Sequence, residues 1–64
     1  MLQKHKDLVQ AVIEESKDEG IDDRQIPYEV SQFLRSLYVQ TKDESLLEMA
    51  KNPAGIQELI SELT

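Results

Sequence analysis

The chain has no cysteine among its 64 residues. That excludes disulfides, thiolate metal sites and a cysteine nucleophile. Its one histidine is His5. A transition-metal site would need more His, or carboxylates grouped with it, and His5 and Asp7 do not share a helical face. No metal or cofactor is therefore expected. Ser16, Ser31, Ser36, Ser45 and Ser61 have no His at a suggestive spacing, so a Ser-His-Asp triad is not expected either. Glycine is as scarce: Gly20 and Gly55 are the only two, too few for a phosphate-cradling loop. The residues carry no catalytic signature, and the chain is not expected to be an enzyme.

Long apolar runs are also missing. None approaches the roughly 18 residues of a membrane span. Met1 to Lys6 runs into Asp7 and a mixed charged helix, which is not the apolar h-region of a signal peptide. The expectation is one soluble domain, residues 1–64, in the cytoplasm. Positive charge is the minority sign: seven Lys and Arg against thirteen Asp and Glu give a net charge of −6. Such a surface repels phosphate backbones and anionic membranes, and it attracts a basic partner. Hydrophobic residues make up 39% of the chain, enough for a core and too many for a disordered tail.

Helical periodicity is what the sequence does have, and it predicts an all-α fold of four helices. The first runs from about Leu2 to Glu19, with Leu2, Leu8, Val9, Val12 and Ile13 as its stripe and His5 and Ser16 in the same arc. Gly20 sits where a left-handed residue ends a helix, and Ile21 supplies the apolar contact that often follows. Asp22 to Gln25 reads as one capped turn, with Ile21 and Ile26 anchoring the connector. Pro27 suits the first position of the second helix, which ends near Thr41. Thr41 and Asp43 compete to cap a short third helix, about Asp43 to Lys51, with Leu46, Leu47, Met49 and Ala50 as its apolar arc. Asn52-Pro53 is a cap followed by proline, a restart signal. The fourth helix runs to about Leu63 on Ile56, Leu59, Ile60 and Leu63. No segment shows the period-2 alternation of a strand.

Two charged features call for a function. Glu14, Glu15, Asp18, Glu19, Asp22 and Asp23 crowd the end of the first helix. A calcium loop with Gly20 as its sixth residue would put Lys17 third and Ile26 twelfth, where oxygen ligands are required; that reading fails. Acid–base catalysis would need some of these carboxylates desolvated, and little apolar sequence surrounds them. They read as a solvated rim, or as an acidic docking patch. The third and fourth helices could make a helix-turn-helix. The fourth, however, presents Glu58 and Glu62, with Gln57 as its one plausible base reader, so nucleic-acid binding is disfavoured.

The most informative pattern lies on the second helix. Val30, Phe33, Leu34, Leu37 and Tyr38 form an ordinary core stripe at i, i+3, i+4, i+7 and i+8. At about 100° per residue, Tyr28, Gln32, Arg35 and Val39 share the opposite face. A surface helix needs one apolar face. A second, rich in the residue types of interface hot spots, implies that the chain wraps this helix or that a partner meets it. The expected function is a small acidic protein-binding module: an adaptor, inhibitor or regulatory subunit whose partner is another protein with a basic surface. The alternatives are a homodimer paired through the second helix and, behind it, a helix-turn-helix nucleic-acid binder.

Overall fold

Apolar residues at helical spacing organise the chain into α1 (Gln3–Asp18), α2 (Ile26–Thr41), α3 (Glu44–Ala50) and α4 (Pro53–Leu63). The structure is a computed structural model and describes residues 2–64. No strand occurs among the described residues, and the fold is an all-α four-helix arrangement. No helix among the described residues is long and apolar enough to cross a membrane.

Local chemistry sets each helix end. After α1, Gly20 adopts φ 79°. Its N–H donates to the Lys17 carbonyl, and the Ile21 N–H donates to the Ser16 carbonyl, a Schellman ending that satisfies two orphan carbonyls. In the connector, the Asp22 carboxylate accepts from the Arg24 N–H at 2.8 Å. Asp22 therefore caps its own turn. The residue before α2 is Gln25, which makes no side-chain cap. Pro27 is consequently the second residue of α2, one place later than expected, because Ile26 is already helical. Between α2 and α3, Lys42 takes a left-handed conformation, φ 60°, and Asp43 wins the competition to cap α3 by accepting from the Ser45 N–H at 3.0 Å. Asn52 caps α4 through the Gly55 N–H at 3.1 Å. Glycine makes room for that cap: a Cβ on Gly55 would lie 2.9 Å from the Asn52 amide nitrogen and would push the capping side chain aside.

The core lies where α1, α3 and α4 pack against α2, with α4 also touching α1 and α3. Val9, Ile13, Val30, Leu34 and Leu46 are fully buried, and Ile26, Ala50, Ile56 and Leu59 nearly so. The Ser31 hydroxyl donates to the Ala50 carbonyl at 3.1 Å, tying α2 to the end of α3.

Two expectations need adjustment. In α1 the inward row is His5, Val9, Ile13 and Ser16, while Leu8 is 44% and Leu2 57% exposed. The helix is rotated so that Leu8 falls at the edge of the buried arc. In α2, Val30 and Leu34 occupy the centre of the stripe, and Phe33, Leu37 and Tyr38 are only partly buried against it. Phe33 and Tyr38 lie at its two margins, given about 100° of rotation per residue.

Urea denaturation should rank these positions. Leu34→Ala removes a fully enclosed side chain and should cost about 2–5 kcal/mol. Phe33→Ala should cost less, because part of its ring already meets water; an equal or larger loss would overturn the assignment of the core centre. Asn52→Ala should cost about 0.5–2 kcal/mol by the same measurement, as for other lost caps.

Candidate functional site

The outer face of α2 follows from the packing of its inner one. Tyr28, Gln32, Arg35 and Val39 are all exposed, Tyr28 at 60% and Val39 at 63%. Among the described residues, no helix lies over them. The Gln32 side-chain amide donates to the Tyr28 hydroxyl at 2.8 Å, one helical turn apart. Among the described residues, Arg35 has no ion-pair partner.

Beside this face the backbone folds into two depressions. One, about 210 Å³, is lined by Pro27, Tyr28, Ala50, Pro53, Ile56 and others. It forms where the start of α2 meets the junction of α3 and α4, and its lining is largely apolar. The second, about 230 Å³, includes Lys17, Asp23, Ile26 and Ile60. Pro27 and Gln57 line both, so the two adjoin. Of these residues, sequence pattern assigns Tyr28, the acidic Asp23 and Gln57 to a surface. Pro27 and Pro53 each suit a helix start, and nothing in their local pattern says that the two starts come together.

The six carboxylates Glu14, Glu15, Asp18, Glu19, Asp22 and Asp23 are all exposed. Asp22 lies 3.8 Å from the Arg24 guanidinium. Among the described residues, no three His, Asp or Glu side chains come together in a way that could hold a metal ion. On α4, Gln57, Glu58, Ser61 and Glu62 are exposed, and two of the four are acidic.

His5 is the polar group the structure treats most unexpectedly. It is only 2% exposed. Among the described residues its Nδ1 has no hydrogen-bond partner, and it faces the Asp43 Oδ2 at 3.8 Å, beyond hydrogen-bonding distance. The other oxygen of Asp43 accepts from the Ser45 hydroxyl at 2.7 Å and from its backbone N–H at 3.0 Å. These two donors, the hydroxyl first, hold the Asp43 carboxyl below its ordinary value of 3.8; partial burial opposes them, and His5 adds a smaller pull in the same direction. One side chain thus caps α3 and faces α1. The arrangement can hold two parts of the fold together.

No protein-family model, curated protein or solved structure matches this chain.

The Asp43 geometry has a pH consequence. A carboxyl held below its ordinary value stabilises the fold fully above about pH 4, and that contribution fades as pH falls through the folded-state value. In urea melts from pH 6 down to pH 2, Asp43→Asn should be less stable than the parent at neutral pH, and the gap should close below about pH 4. A gap that stays constant would mean that the Asp43 charge contributes nothing.

Proposed function

We propose that this chain is a small acidic protein-binding module, an adaptor, inhibitor or regulatory subunit that acts by occupying a surface on another protein through the outer face of α2. The observation that carries this reading is the uncovered Tyr28–Gln32–Arg35–Val39 face. Tyr and Arg are the types most enriched at interface hot spots. An Arg here can lay its apolar stem on a neighbouring surface while its guanidinium finds an acceptor. The net charge of −6 favours a partner with basic residues and speeds the encounter with it. The same charge counts against two copies pairing through this face, and against a phosphate backbone.

The test begins with the partner. Cross-linking of the full chain, with a photoreactive residue in place of Gln32, identifies what touches this face, and the purified partner is then titrated. Tyr28→Ala/Arg35→Ala should keep its helical circular dichroism and lose about tenfold or more in affinity, as expected for hot-spot residues. Light scattering should find a monomer. A double variant that binds like the parent, or a parent that is dimeric until Tyr28 and Arg35 are replaced, would refute the reading.

A further inference from the structure

The first turn of α1 has little of its own to hold it. Leu2 precedes it, and among the described residues no side chain caps it. The turn consists of Gln3, Lys4, His5 and Lys6. None is acidic, and its two lysines stand at the positive end of the helix dipole, where cations are unfavourable. The His5 and Lys6 N–H groups both donate to the Leu2 carbonyl. Gln3 bonds Asp7 at 3.1 Å on the exposed surface, and Lys6 reaches Glu62 at 4.0 Å. Solvent-accessible contacts of this kind contribute little. His5 is the one buried side chain of the four, and it anchors the turn.

The groups around that anchor are few. α1 packs against α2 and α4. On α2 the titratable or charged residues are Tyr28, Glu29, Arg35 and Tyr38, and of these Tyr38 packs against the core. On α4 they are Glu58 and Glu62, both exposed, with Glu62 beside Lys6. The α2–α3 junction supplies Lys42, exposed, and Asp43. Among the described residues, Asp43 is the one carboxylate within 4.0 Å of the imidazole. Ser45 fixes its Oδ1 through two bonds, which leaves Oδ2 toward His5. The two partners differ in their access to water: the Asp43 side chain is 31% exposed and that of His5 only 3%. A buried imidazole that takes up a proton needs a counter-charge nearby. Closing the 3.8 Å gap by about 1 Å would make a charge-assisted hydrogen bond.

We propose that His5 and Asp43 form an acid-sensitive latch on the first turn of α1: the Asp43 charge lets a protonated His5 stay buried, and loss of that charge releases the turn. With both partners charged the latch is closed. Free aspartate loses its charge near pH 4. Once Asp43 is neutral, a lone imidazolium is left inside the fold, and residues 3–6 unwind to bring it into water. The opening stays local, because the other buried polar residue among those described is Ser16, which carries no charge.

The test is an NMR titration of the full, isotope-labelled chain from about pH 7.5 to pH 3, a range that spans both side-chain types. The ring nitrogens of His5 report its proton, the side-chain carbon of Asp43 reports its charge, and the His5 and Lys6 amides report the turn. In the parent, the ring should take up its proton while both amides stay protected from exchange. Protection should fail only as Asp43 titrates, below about pH 4, with the Leu34 amide still protected. Asp43→Asn keeps an N-cap acceptor and removes the charge. It should open the turn at least about one pH unit higher, in step with its own His5 ring. Adding His5→Gln should abolish that early opening. A parent ring that stays neutral until the turn opens would overturn the latch. So would a turn that opens while Asp43 is still charged, or one that stays closed after Asp43 is neutral. An Asp43→Asn chain that opens at the parent pH, or opens early with His5→Gln added, also refutes it. The parent titration decides the matter alone if either variant fails to fold.

Discussion

Burial of one stripe of α2, centred on Val30 and Leu34, against the other three helices is the constraint on which the rest of this structure depends. A chain of 64 residues hides only about 60% of the surface its unfolded form exposes, so it cannot enclose a helix on all sides. With α1, α3 and α4 on the inner side of α2, the described residues leave its outer side uncovered. The outward position of Tyr28, Arg35 and Val39 is therefore a geometric result of the core, and any function placed on that face depends on residues that never touch it.

The helix ends make this packing possible at such short length. Lys42 and Asp43 alone separate α2 from α3, and Lys51 and Asn52 alone separate α3 from α4. Connections this short give the chain almost no freedom to choose which helix neighbours which. Each end then has to satisfy its own backbone groups within one or two residues. The Asp43 and Asn52 caps do so at the starts of α3 and α4. Lys42 turns the chain in a left-handed conformation that costs a non-glycine residue about 1–2 kcal/mol. The close approach of Asn52 to Gly55 shows the same economy of space: cap and donor fit together because one of them lacks a side chain.

Much of this was legible in the sequence, and the limits of legibility are physical. Gly20, Asn52 and Pro53 act through backbone groups a few residues away, so their effect can be read locally, and the bounds of α4 follow directly. The alternation of apolar residues in α1 defines a broad arc but not its centre. Which row turns inward is decided by the shapes of α2 and α4, and that is why His5 and Ser16 are buried while Leu8 is not. The pairing of His5 with Asp43 spans most of the chain, and local pattern carries no trace of it. The groove beside Tyr28 has the same character. Its walls come from the starts of α2 and α4, and each proline was intelligible on its own as a helix starter. The face of Tyr28, Gln32, Arg35 and Val39 could be drawn from periodicity alone; whether the chain would cover it could not, since that depends on where three other helices settle.

The hydrogen bond from Gln32 to the Tyr28 hydroxyl has an entropic meaning. Immobilising a flexible side chain at an interface usually costs about 0.5–1.5 kcal/mol. On this helix the tyrosine ring and the glutamine amide already restrict each other across one turn, before any second molecule arrives. A contact made on that ring therefore begins with part of its ordering cost already met inside the chain. Tyrosine adds to the advantage, because its large rigid surface has only two torsions to fix.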